Sequence, residues 1–224
     1  ALLAAIPLYP KFPAIRIPGT YVSVRLEDFL IAAVTLVALI RFLPEISRIF
    51  KKDIERSVLI LLGIGFLSLL SAILVTQTVA PHIGILHWVR RIEYFIPFFI
   101  GLLYFRDKKE KTLEFFLKVL MIVLVAAFLY GLGQKYLSWP VIITQNEEYS
   151  KGVALRWIPG SHINSTFAGH YDLATFLVLL LPIFISLFFV VKRTAARVLL
   201  LVVIFSGLWL LANAGSRIAV VSYL

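Results

Sequence analysis

The sequence predicts an all-α, polytopic transmembrane helix bundle. Three observations predict it. Several apolar runs approach the roughly 20 residues that cross a bilayer. The chain is 61% hydrophobic and only 15% charged, with a mean hydropathy of +0.95; a soluble domain is nearer about 45–50% apolar and about 25% charged. The runs are continuous, whereas a lipid-facing barrel alternates, so strands are not expected.

Six complete spans are expected, over 27–43, 58–76, 88–105, 113–137, 171–191 and 195–213. Each has a length suited to a crossing. The fourth carries Glu114 and Lys118 in its first turns, where long side chains reach back to water. Its Gly131 and Gly133 suit close helix packing. Partial spans are expected at both ends. Ala1 is not a Met, 1–8 reads as the end of a helix begun earlier, and 218–224 reads as the first third of another span. The sequence therefore reads as a piece of a longer membrane protein, a single transmembrane domain over 1–224 with an outer loop over 138–170. Between the first two pieces, Pro7, Pro10, Pro13, Pro18 and Gly19 favour an extended outer segment over 6–19 rather than a helix.

Basic residues set the expected orientation. Arg41, Arg48, Lys51, Lys52 and Arg56 follow the first span. Arg106, Lys108, Lys109 and Lys111 follow the third, and Lys192, Arg193 and Arg197 follow the fifth. These segments read as cytoplasmic. Lys11, Arg16, Arg25, Arg90, Arg91, Lys135, Lys151, Arg156 and Arg217 then fall on the outer side. The length from Arg197 to Arg217, about 30 Å of helix, matches one bilayer.

The composition also excludes chemistry. The chain has no cysteine, so disulfides, thiolate metal sites and a Cys nucleophile are excluded. His82, His87, His162 and His170 lack a metal-ligand spacing, and no metal or other cofactor is expected. No signal peptide is visible. The net charge of +10 in so apolar a chain points to topology and to anionic headgroups or phosphates, not to nucleic acid.

Two polar breaks carry the functional signal. The first, 156–172, runs from Arg156 through Pro159-Gly160-Ser161-His162-Ile163-Asn164-Ser165-Thr166 to His170-Tyr171-Asp172, and an apolar run follows at once. The second is Asn213-Ala214-Gly215-Ser216-Arg217. Polar groups at the ends of membrane helices are costly and usually functional. Arg217 reads either as a snorkelling side chain or as a fork for an anionic group. His162 and His170 read either as solvated or as a binding pair. Thr166 and Asp172 are candidate helix caps. The Asn164-Ser165-Thr166 sequon is read as coincidental. Arg90 and Glu93 share a helix face and read as an interfacial salt bridge beside Trp88; Arg91, with no partner three or four residues on, reads equally as facing a polar cavity. Arg16 and Arg25 read as structural charges.

The stretch Gly160-Ser161-His162-Ile163-Asn164-Ser165-Thr166-Phe167-Ala168-Gly169-His170-Tyr171-Asp172-Leu173-Ala174 resembles the opening of a central helix in the O-antigen ligase/polymerase superfamily. Gly215-Ser216-Arg217 is similar to that family's Ser-Arg signature, and Arg91-Ile92-Glu93-Tyr94 and the segment 10–27 are similar to bacterial members. His162 stands where the pattern often has Arg; a His also donates to phosphate, with a charge that depends on pH. The resemblance implies a metal-independent glycosyltransferase, multi-pass in the bacterial inner membrane and active on its outer face. Its partners would be membrane lipids, an undecaprenyl-diphosphate-linked glycan donor, and an acceptor glycolipid, glycan or protein. Arg217, Arg91, His162, His170 and Arg156 would hold the donor diphosphate. The general base would lie on an outer loop beyond Leu224, and the catalytic residue is therefore not assigned within 1–224. The alternatives are a non-enzymatic transporter or channel with an outer-facing polar cavity, and a membrane scaffold with interfacial arginines. Against transport stand charges gathered at span ends and the lack of an internal repeat.

Overall fold

The computed structural model describes residues 1–9, 13–16, 23–42, 53–105, 109–141 and 155–215. In chain order the elements are α1 (Leu2–Leu8), β1 (Pro13–Arg16), β2 (Ser23–Arg25), α2 (Leu26–Phe42), α3 (Asp53–Leu74), α4 (Pro81–Phe105), α5 (Lys109–Tyr136), β3 (Pro140–Val141), β4 (Leu155–Arg156), α6 (His170–Val190) and α7 (Thr194–Ala214). The fold is helical, as expected. Strands, which were not expected, occur among the described residues as two short ladders: β1 pairs with β2, and β3 pairs antiparallel with β4. Both are confined to connections, where the alternation rule for lipid-facing strands has no bearing.

Among the described residues, four helical stretches are long and apolar enough to cross a membrane: Asp53–Leu74, Lys111–Tyr136, His170–Val190 and Thr194–Ala214. These correspond to four of the six expected spans. The other two expected spans are helices of a different kind. α2 has only 17 residues. α4 starts at Pro81 rather than at Trp88 and runs 25 residues, so Arg90, Arg91 and Glu93 lie near its middle instead of in its first turn. Proline suits the first helical position, because the N–H it lacks would find no partner there.

The chain divides into two compact units. One combines Leu3–Pro13 with Phe115–Leu224, and the other is formed chiefly by Ala14–Glu114. In the first unit α5, α6 and α7 enclose an apolar core that includes Leu124, Leu173, Leu177, Leu181, Phe184, Val203 and Leu210. The opposite faces of the same helices are also apolar: Leu179, Phe189 and Phe205 are exposed. A helix that is apolar all round needs a nonpolar surrounding, and a bilayer supplies one. In such a surrounding tight packing, rather than water exclusion, holds helices together. Gly207 of α7 serves this, since a Cβ there would press on Leu181 and Leu124. α1 is a helix that contains Pro7, so the extended segment expected over 6–19 begins later than its first proline.

In the second unit, α3 and α4 are joined by Trp88, whose indole N–H donates to the Leu62 carbonyl at 3.2 Å and whose ring meets Phe66 at 4.9 Å. α2 begins after Arg25. The Arg25 backbone N–H donates to Asp28 Oδ2 at 2.8 Å, half of a capping box.

Candidate functional site

The two polar breaks of the sequence meet at one end of the first unit. α5 arrives there at Tyr136, α6 departs at His170, and α7 arrives at Ala214. The loop between 156 and 170 is seated on these ends by hydrogen bonds that its sequence explains.

The loop begins with a tight turn. Pro159 and Gly160 occupy its centre, Gly160 at φ 89°, and the Ser161 N–H donates to the Ile158 carbonyl at 3.0 Å. Proline followed by a positive-φ glycine is the signature of a type II turn. The Trp157 indole N–H donates to the Ser161 carbonyl at 2.9 Å, so the turn orients the Trp157 ring. Further on, the buried Gln134 side chain of α5 acts like a strand neighbour. Its Nε2 donates to the Ser165 carbonyl at 3.0 Å and its Oε1 accepts the Ser165 N–H at 2.9 Å. The Ser165 hydroxyl donates to the Ala127 carbonyl at 2.6 Å. Ser165, at φ 53°, is a strained non-glycine residue held by three bonds. Thr166 donates to the Pro7 carbonyl at 2.6 Å. It therefore does not cap a helix; Gly169 occupies the cap position of α6, without a side-chain cap bond, and Asp172 lies in the first turn. Asn164 is buried, which closes the sequon to modification in this fold.

The second break docks directly onto the first. The Ile163 N–H donates to the Asn213 carbonyl at 3.0 Å. Gly215 ends α7 at φ 65°, a left-handed position suited to glycine. A Cβ at Gly215 would overlap the His162 ring, so the approach of the histidine also requires glycine there. His162 stacks on His170, ring centroids 4.5 Å apart at 27°, and His170 meets Tyr171 at 4.0 Å. His162 is exposed and His170 half-buried. Neither imidazole makes a hydrogen bond among the described residues, which leaves ring N–H groups to donate to an anionic ligand.

Sequence reasoning missed Lys135 as a site residue. Its ammonium donates to Asn213 Oδ1 at 2.6 Å, while Asn213 Nδ2 donates to the Trp209 carbonyl at 2.7 Å. Three rings surround the amine: Tyr136 at 5.7 Å, Trp157 at 5.9 Å and Trp209 at 5.5 Å. Only the position of Lys135 one residue before the end of an apolar run hinted at it, and that is also where a snorkelling lysine belongs.

The other expected site residues lie elsewhere. Arg156 pairs with Pro140 across the β3–β4 ladder and is exposed. Arg217 and Ser216 lie outside the described residues, although Gly215 immediately precedes them. Arg91 belongs to the second unit, exposed, with its guanidinium beside Gly65 and Trp88. Its neighbour Arg90 is engaged: it reaches Asp28 Oδ1 at 2.6 Å and Glu93 Oε2 at 3.1 Å. The i,i+3 pair read from the sequence is thus formed, and Asp28 joins it from α2. Arg25 pairs with Glu27 at 3.2 Å, in keeping with a structural charge.

No group of three or more His, Cys, Asp or Glu among the described residues is placed to hold a metal ion. No family model matches the chain, and no curated protein or solved structure matches it.

Proposed function

We propose that this chain is the helical membrane part of an O-antigen ligase-like glycosyltransferase. It moves a glycan from an undecaprenyl-diphosphate carrier to a lipid, glycan or protein acceptor on the outer face of the bacterial inner membrane. The observation that carries the reading is the junction of the two polar breaks, with His162 packed on Gly215 and Ile163 bonded to Asn213. These are two of the segments on which the motif resemblance rests, and their meeting at one end of three helices is what a shared site requires. In this reading the chain crosses the membrane six times, with α2 and α4 counted as short or charged spans, and the loop 138–170 lies outside.

The chemistry is a displacement at the sugar C1. The acceptor oxygen bonds to C1, the C1–O bond to the diphosphate breaks, the acceptor proton passes to a general base, and undecaprenyl diphosphate leaves with the bonding electrons. The leaving group gains charge, and preorganised cations stabilise it. Arg217, two residues after Gly215 in the sequence, supplies a planar fork for phosphate oxygens. His162 and His170 donate further hydrogen bonds, and Arg156 of the same unit adds to the donor-binding set.

Arg217→Ala in the full-length protein is expected to abolish glycan transfer while membrane expression persists. Transfer at the wild-type level would remove the site assignment.

A second reading, a transporter, is favoured by one observation. The Asp28–Arg90–Glu93 network includes charges near the middle of α4 and not at its end, and charges within membrane helices mark transport pathways. Uptake or export of a glycan-lipid that persists in Arg217→Ala and is lost in Arg90→Ala would favour it.

A further inference from the structure

We propose that the Lys135 ammonium, walled by Tyr136, Trp157 and Trp209, is a binding site for a lipid-borne phosphate at the membrane boundary. Three observations lead there. First, the charge meets no carboxylate among the described residues. An ammonium has three N–H donors, and among the described residues Lys135 spends one on the neutral amide oxygen of Asn213. Its other neighbours are ring faces, which attract a cation weakly and neutralise nothing. Arg90, by contrast, has two carboxylates.

Second, the amine is positioned rather than loose. Asn213 is held by its own bond to the Trp209 carbonyl and by the Ile163 N–H on its carbonyl. Trp157 is held by the turn at Ser161. The aromatic walls lower the local dielectric, which strengthens the pull of the ammonium on an anion. The two remaining N–H donors make charge-assisted bonds to an acceptor, and a phosphate oxygen adds a full opposite charge that the Asn213 amide oxygen lacks.

Third, the depth is right. Lys135 lies one residue from the end of the apolar stretch Lys111–Tyr136. Lipid phosphates occupy that boundary level, and aromatic side chains commonly line it.

Two lipids carry this chemistry: a polyprenyl diphosphate and an anionic phospholipid headgroup. The first rests on the glycosyltransferase reading; the second does not. The test uses the full-length protein in a phosphate-free neutral detergent. An amine-reactive reagent labels Lys135, and mass spectrometry quantifies the label with polyprenyl diphosphate, polyprenol of equal length, or phosphatidylglycerol present. Polyprenyl diphosphate is expected to suppress labelling about fivefold or more and polyprenol to leave it unchanged. Lys135→Gln, which keeps an amide donor for Asn213, is expected to weaken diphosphate binding about tenfold, equivalent to about 1.4 kcal/mol, with an unchanged thermal midpoint. Suppression by the diphosphate alone assigns the site to the carrier, and suppression by phosphatidylglycerol as well assigns it to lipid phosphates generally. Equal labelling with and without both phosphate lipids, or equal suppression by polyprenol, overturns the proposal. Labelling of the wild type decides even if Lys135→Gln misfolds. Unprotected Lys135 together with loss of transfer in Arg217→Ala would sink this inference and spare the enzyme reading. Protected Lys135 with full transfer in Arg217→Ala would do the reverse.

Discussion

Two clusters of charge in this chain are built on opposite plans. In the second unit, Arg90 lies between Asp28 and Glu93, Arg25 meets Glu27, and Asp28 also caps α2. Both of these arginines have a carboxylate. In the first unit, Lys135 meets an amide oxygen and three rings, and His162 and His170 meet each other. The first plan spends charge on joining α2 to α4. The second leaves the Lys135 ammonium without a carboxylate partner among the described residues, at the end of three helices. Neutralised charge describes a structural tie, whereas positioned but unneutralised charge describes a surface waiting for an anion.

The contrast is open to direct perturbation. The largest effect is expected for Arg90→Ala, which leaves two carboxylates facing each other in a largely buried place. Loss of one partner from a buried pair costs about 3–5 kcal/mol, visible as a marked fall in the thermal midpoint in detergent; an unchanged midpoint would mean that the network is not a tie. Next comes Gln134→Leu. It strips both partners from the buried backbone of Ser165 and is expected to cost about 2 kcal/mol, with increased proteolysis in 156–170. Gly215→Ala should cost at least about 1 kcal/mol, because it adds a Cβ at positive φ and displaces His162. A donor-binding defect is expected to accompany it. The smallest effect on stability, under about 0.5 kcal/mol, is expected for Lys135→Gln. If Lys135→Gln destabilised as much as Arg90→Ala, the difference between the two clusters would collapse.

Much of the helical plan was legible in the sequence, because it depends on local runs. Four of the expected spans match membrane-length helices to within a few residues at most ends. The Pro159-Gly160 turn is equally local, yet no turn was read there from the sequence. What else escaped was set by partners distant in sequence. Lys135 and Asn213 are separated by 78 positions, and Thr166 and Pro7 by 159; no spacing rule connects them. Thr166 has the right residue type for a cap, and a carbonyl from α1 claimed its hydroxyl instead. The start of α4 lies seven residues before the expected Trp88, although Pro81 suits a first helical turn. The two polar breaks were each visible as interruptions, but only the fold joins them through Ile163, Asn213, His162 and Gly215.

The central claim is that the joined breaks serve glycan transfer from a lipid diphosphate. It is tested most directly by following both products in one reaction of the purified full-length protein with an undecaprenyl-diphosphate-linked glycan and a glycolipid, glycan or protein acceptor. The account predicts that free undecaprenyl diphosphate and glycosylated acceptor accumulate one for one, and that both fall together in Arg217→Ala. A glycan that stays on its carrier with every acceptor class, while the wild-type protein moves the intact lipid across the membrane, would contradict it.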